Sequence, residues 1–190
     1  HIGYAAFYRT GIKSVVIPRS VSSMGSHAFG YTPLESVTFE ANGSLLYIPS
    51  NAFRNTLLTS VEIPRFVRSI ESYAFDGCSS LTLLTFESDS ALTDIQAYAF
   101  RGTNITYISD TFPNPVTTDD YYCVFDFGGT GRVTISAGIR VIQSSFFRGC
   151  QTLRSVSFEV GSVLEEIGEY AFGGTGLTSI EFPSSVRRIN

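Results

Sequence analysis

Apolar residues recur along the chain in a three-point pattern, apolar-x-x-apolar-x-apolar. It reads Ile12/Val15/Ile17, Leu34/Val37/Phe39, Leu58/Val61/Ile63, Leu81/Leu84/Phe86, Leu153/Val156/Phe158 and Leu177/Ile180/Phe182. Val133/Ile135 keeps the last two points, with Thr130 in the leading place. Ile105/Ile108 keeps the first two, with Asp110 in the third. The period-two alternation and the β-branched residues predict a short strand at each site, one face buried and the other wet. The wet face then carries two columns. One is Ser14, Ser36, Ser60, Leu83, Tyr107, Arg132, Ser155, Ser179. The other is Val16, Thr38, Glu62, Thr85, Ser109, Thr134, Ser157, Glu181.

A second apolar pattern follows each strand and leads to an Ala-Phe pair. A short form spans Ile63/Val67/Ile70/Ala74/Phe75 and Ile135/Ile139/Ile142/Phe146/Phe147. A long form inserts two residues after Phe-Glu, as in Phe39-Glu40 to Leu45/Ile48, Phe86-Glu87 to Leu92/Ile95 and Phe158-Glu159 to Leu164/Ile167. Pro18, Pro64 and Pro183 close strands of the short form, since proline has no N–H to continue pairing. From Phe7 the Phe-to-Phe steps are 22, 24, 22, 25, 47 and 25, ending at Phe172. The gap of 47 holds two units, with Val124-Phe125 as the degenerate marker, to within one residue.

A unit of this length cannot bury its own apolar face, but stacked copies cover one another. The expected fold is a β-rich solenoid, 1–190 as one domain of about seven to eight repeats, with an irregular repeat at about 109–130. A parallel β-ladder forms its concave face, and short turns, second strands or single helical turns form the other side. Phe7, Phe29, Phe53, Phe75, Phe100, Phe147 and Phe172 point inward as a spine.

Residues Leu58 to Leu81, reading L-x-x-V-x-I-P-x-x-V-x-x-I-x-x-x-A-F-x-x-C-x-x-L, resemble the BspA-type (Treponema pallidum-like) repeats of the leucine-rich repeat superfamily. The resemblance spans the chain except about 109–130. It implies a secreted or cell-surface protein that adheres to host matrix or cell-surface proteins. It supplies no cofactor.

The net charge of −4 gives no electrostatic footprint for nucleic acid or anionic membrane, and no apolar run reaches the ~18 residues of a membrane span. The chain starts at His1, as a fragment or processed chain would. Enzymatic chemistry is not expected. The two histidines are His1 and His27, and His27 sits in a variable surface slot before Ala28. Without Cys-x-x-Cys or a His-Cys cluster, no zinc site is expected. Cys78 and Cys150 share one repeat position, three rungs or ~14 Å apart, too far for a disulfide. Both read as small buried hydrophobes, while Cys123 has no assigned place. Glu40, Glu87 and Glu159 read as a solvated edge. Asn42-Gly-Ser44 and Asn104-Ile-Thr106 fit the N-glycosylation pattern.

Binding candidates follow from side-chain type. Tyr107 and Arg132, neighbours in strand order, are the residues of the wet columns typical of interface hot spots. Phe112-Pro113-x-x-Val116 aligns with Phe182-Pro183-x-x-Val186, which puts Asp119 where an inward Ile belongs. Such breaks in a local rule gather at functional sites. Asp119, Asp120, Tyr121 and Tyr122 therefore join the candidates. The competing reading is a passive spacer displaying another domain.

Overall fold

The computed structural model describes residues 1–109, 117–118, 123–125 and 130–190. Its strands are β1 (Ser14–Ile17), β2 (Ser36–Phe39), β3 (Tyr47–Ile48), β4 (Ser60–Ile63), β5 (Ser69–Ile70), β6 (Leu83–Phe86) and β7 (Asp94–Ile95). They continue as β8 (Tyr107–Ile108), β9 (Thr117–Thr118), β10 (Arg132–Ile135), β11 (Val141–Ile142), β12 (Ser155–Phe158), β13 (Glu166–Ile167) and β14 (Arg188–Ile189). Among the described residues every pairing is parallel, and the chain is a β-solenoid.

Three columns of backbone bonds hold the rungs together. The first contains β1, β2, β4, β6, β8, β10 and β12. There Val15 pairs with Val37, Val61 with Leu84 and Val133 with Val156, and these residues face the core. The second is built from two-residue strands: Ile48, Ile70, Ile95 and Thr118 stand in register, then Ile142, Ile167 and Ile189. Short strands rather than helical turns thus form this arm. The third runs through Ala-Phe, where each Phe N–H donates to the next rung: Phe53 to Ala74 at 2.8 Å, Phe75 to Ala99 at 2.8 Å and Phe100 to Val124 at 2.9 Å.

Inside, the phenylalanines stack. Phe29–Phe53, Phe53–Phe75 and Phe75–Phe100 have ring centroids 5.6, 5.3 and 5.2 Å apart and planes within 13°. These spacings slightly exceed the ~4.8 Å between strands, as offset stacking requires. Phe125 continues the column at 5.5 Å from Phe100 and is buried, which fixes the register of the degenerate marker. The column then jogs. Phe146 occupies the alanine position, 5.8 Å from Phe125, and meets Phe147 edge-on at 4.6 Å. Phe7 departs from the expected inward role: it stacks on Phe29 at 5.1 Å but is 40% exposed, because it lies in the first rung.

The Ala-Phe arm turns sharply through left-handed backbone on both sides. The residue before Ala has positive φ at His27, Asn51, Tyr73, Tyr98 and Tyr170. So has the second residue after Phe: Tyr31, Asn55, Gly77, Gly102, Gly149 and Gly174. Gly77 is doubly constrained, since at φ 75° a Cβ would also overlap the Asn55 side chain. His27 is therefore not a freely variable surface slot. It is half-buried, with the rings of Tyr4 and Tyr8 against its edges at 6.0 and 5.8 Å.

Two further expectations change. Ser179–Phe182 forms no strand, and Phe182, in the last rung, is 37% exposed. In the first column, β1–β2, β4–β6 and β10–β12 pair along their whole length, always a short-form strand with the long-form strand that follows. The repeat is thus a two-rung module. The Phe-Glu carboxylates belong to it: Glu40 accepts the N–H of Arg19, Glu87 that of Arg65 and Glu159 that of Ala137, each at 3.0 Å. They are backbone caps between the two rungs, not a merely solvated edge. Each takes over the N–H just past a strand end, twice immediately after Pro18 or Pro64.

Candidate functional site

The outward face of the first column is solvent-facing over most of its length, as the alternation requires. Ser14, Ser36, Ser60, Arg132 and Ser155 are exposed. Val16 and Leu83 are large apolar residues on this face, 57% and 44% exposed. Ser109, expected on the same face, is buried.

Tyr107 and Arg132 do not stand side by side. The ladder pairs Tyr107 with Thr134 and Ile108 with Ile135, a slip of two residues from the expected register. A slip of two preserves the side of the sheet each residue faces. Tyr107 therefore remains outward and half-buried, one strand over and two positions along from exposed Arg132.

In the second column Thr118 is the partner of Ile95, so the position expected for Asp119 belongs to the residue before it. Asp119, Asp120, Tyr121 and Tyr122 lie outside the described residues.

Cys150 is not a free buried thiol. It forms a disulfide with Cys123, with Cα atoms 4.7 Å apart. The expectation weighed Cys78 against Cys150 and left Cys123 unplaced. The pairing joins adjacent rungs, because Cys123 lies two residues before Phe125 and Cys150 three after Phe147. Cys78 is free and buried. Its thiol donates to the Phe53 carbonyl at 3.0 Å and meets the Thr56 hydroxyl at 3.1 Å. Burial pushes its pKa up to about 11. In most other rungs Thr holds this position and binds the Phe carbonyl three residues back, as in Thr32 to Phe29 at 2.7 Å and Thr103 to Phe100 at 2.8 Å.

Of the two glycosylation triplets, Asn42 is exposed and its Oδ1 accepts from Arg65 at 2.8 Å. The Asn104 amide nitrogen instead donates to the Ser79 carbonyl at 2.7 Å. Among the described residues no group of three or more His, Cys, Asp or Glu side chains could hold a metal ion. Among them, too, no helix is long and apolar enough to cross a membrane.

One feature was missed from sequence. Asp76, one residue after Phe75, is buried between Arg54 Nε at 2.9 Å and Arg101 Nε at 2.7 Å. The signal was present as Arg after Ala-Phe at Arg54 and Arg101 with Tyr before it at Tyr73 and Tyr98, but it lay outside the strand positions where binding was sought.

The BspA type leucine rich repeat region matches this sequence in 6 copies, over residues 1–130 and 123–190. No functionally curated protein matches it. The crystal structure of the pneumococcal vaccine antigen PcpA is similar with a TM-score of 0.61 at 20% identity, over 98% of this chain and 56% of that one. A leucine-rich cell surface protein of Faecalibacterium prausnitzii A2-165 shares 26% identity over 96% of this chain and 44% of that one, with a TM-score of 0.43. A leucine-rich repeat protein of Bacteroides ovatus shares 19% identity over 98% and 77%, with a TM-score of 0.33. The chain thus spans about half the length of the first two structures, at 56% and 44%.

Proposed function

Because this chain belongs to the BspA-type leucine-rich repeat family, we propose that it is an extracellular protein-binding module that engages a host matrix or cell-surface protein through the outward face of its first strand column and the adjoining irregular repeat. The observation that carries this reading is the outward face itself. Most of its side chains are exposed, Val16 and Leu83 among them, and Tyr107 lies one strand over and two positions along from Arg132. Tyr and Arg are the residue types that dominate interface hot spots, and the strand ladder fixes the backbone from which they project. The Cys123–Cys150 disulfide supports an oxidising compartment outside the cytosol. On this reading 1–190 acts as one domain. Asp119, Asp120, Tyr121 and Tyr122, which lie outside the described residues, join this reading as candidates on sequence grounds.

The test is surface plasmon resonance of the folded chain over immobilised matrix proteins and epithelial surface extracts. A bound partner should be lost or weakened at least tenfold by a Tyr107→Ala/Arg132→Ala double variant of unchanged thermal stability. Full retention by that variant overturns the site. Binding to none of the surfaces favours the spacer, which the many small Ser and Thr side chains of the columns also suit.

A further inference from the structure

A strip of arginine and tyrosine runs along the Ala-Phe arm, apart from both strand columns. Arg9 lies over the rings of Tyr8 and Tyr31 at 5.2 and 5.6 Å. Arg54 lies over Tyr31 and Tyr73 at 5.8 and 5.9 Å. Arg101 lies over Tyr73 and Tyr98 at 5.2 and 5.4 Å. Each guanidinium sits within cation–π range of two rings. The buried Asp76 carboxylate pairs with two of them: it accepts from Arg101 through Nε at 2.7 Å and Nη2 at 3.0 Å and lies 2.9 Å from Arg54 Nε, while Arg54 Nη1 donates to Asn51 Oδ1 at 3.2 Å.

Four properties of this strip define what it can bind. Its charge is positive, because three arginines face one buried aspartate, on a chain whose net charge is −4. Its ring faces are covered by guanidinium groups, so it offers ring edges, phenol hydroxyls and guanidinium N–H donors rather than open faces for sugars. The Arg54 and Arg101 side chains are held in place before any partner arrives, which lowers the entropy lost on binding. The fourth property is spacing. The backbones of Arg9, Arg54 and Arg101 stand on alternate rungs, about 9–10 Å apart along the axis at the strand spacing of ~4.8 Å, with Arg9 one place further along its arm than the other two and the Arg54 and Arg101 side chains leaning together onto Asp76. A polyproline II helix rises ~3.1 Å per residue with three residues per turn, so every third side chain lies on one face, ~9.3 Å apart.

We propose that the Arg9–Arg54–Arg101 strip is a second docking surface, and that its partner is an extended acidic protein segment bearing a carboxylate at every third residue. Each carboxylate meets one guanidinium in a charge-assisted hydrogen bond, and the tyrosine hydroxyls between them bind the peptide backbone. This surface is separate from the strand-ladder face and does not depend on it.

The test is fluorescence anisotropy with labelled (Pro-Pro-Glu)4. Two controls are (Pro-Pro-Gln)4 and a peptide of the same composition with its four glutamates clustered at one end. The spaced acidic peptide should bind at least tenfold more tightly than either control and lose at least tenfold in affinity at 0.5 M NaCl. Arg9→Gln, at an exposed site that leaves Asp76 paired, should weaken it at least threefold, and Arg101→Gln likewise. The Tyr107→Ala/Arg132→Ala variant should bind it unchanged. Equal affinity for the clustered or neutral peptide overturns the proposal. So does indifference to Arg9→Gln, or binding of a sulfated glycan with no binding of (Pro-Pro-Glu)4.

Discussion

The Glu87 carboxylate accepts the backbone N–H of Arg65, in the rung before it, at 3.0 Å. Pro64 has just ended the strand, and without Glu87 the Arg65 N–H would face the rung interface without this acceptor. Glu40 and Glu159 repeat the contact at Arg19 and Ala137. Glu87→Ala should destabilise the fold by about 1–2 kcal/mol, the scale of a charge-assisted hydrogen bond at a partly exposed site. Glu87→Gln keeps an acceptor and should lose less. Urea unfolding measures both, and an unchanged midpoint for the alanine variant would rule out the cap.

The phenylalanine column predicts a gradient along the solenoid. Phe75 is fully buried between Phe53 and Phe100, at 5.3 and 5.2 Å. Phe75→Ala should cost about 3–5 kcal/mol, the usual penalty for a large core cavity. Phe7 has a ring on one side and is 40% exposed. Phe7→Ala should cost less than half as much. Equal losses at the two sites would mean that stacking is not what stabilises the rungs.

The fold was legible because its signals are periodic and redundant: Leu58, Val61, Ile63, Val67, Ile70, Ala74 and Phe75 all occupy the core as their spacing requires. What was not legible depends on pairs distant in sequence. Cys123 and Cys150 are 27 residues apart, and spacing arguments compared Cys150 with Cys78 because those two share a repeat position. The slip that pairs Tyr107 with Thr134 was hidden because Ile105/Ile108 and Val133/Ile135 each keep only two of the three apolar points that would fix their register. The left-handed position before Ala was hidden because residues such as Tyr73 and Tyr98 adopt it, where glycine, as at Gly77 and Gly102 after Phe, would have announced it.

Cys78 carries a pH dependence whose sign is fixed by burial. Its pKa is raised from 9.0 to about 11, desolvation being the largest cause. Below pH 9 the thiol is protonated in both folded and unfolded chains, and its contribution is fully present. As pH rises from 9 towards 11 the unfolded chain ionises first, so stability falls. The difference between the native protein and Cys78→Thr should therefore move by roughly 2–3 kcal/mol against the native protein over that window. Threonine is the right comparison because Thr32 and Thr103 fill the same position in other rungs. A parallel pH profile for the two proteins would show that this thiol does not titrate with unfolding. The native protein should also resist a thiol reagent until denatured, when one thiol appears.

The Cys123–Cys150 disulfide links residues 27 apart and closes a loop across the irregular repeat. By the chain-entropy account, a loop of that size restricts the unfolded chain by about 3.5 kcal/mol. Reduction should lower the thermal midpoint by several degrees. Cys78 is the remaining cysteine and is free, so reductant acts on this bond alone. A Cys123→Ser/Cys150→Thr variant should match the reduced protein and show no further response to reductant. It keeps a hydroxyl at the position where Thr32, Thr103 and Thr175 bind the Phe carbonyl of their own rung. An oxidised native protein that melts at the same temperature with and without reductant would place no stabilising role on the bond. A variant that melts well below the reduced protein would show that the two side chains matter for packing rather than for the crosslink. Agreement between variant and reduced protein, both below the oxidised form, identifies the crosslink itself as what holds the irregular repeat to the rung that follows.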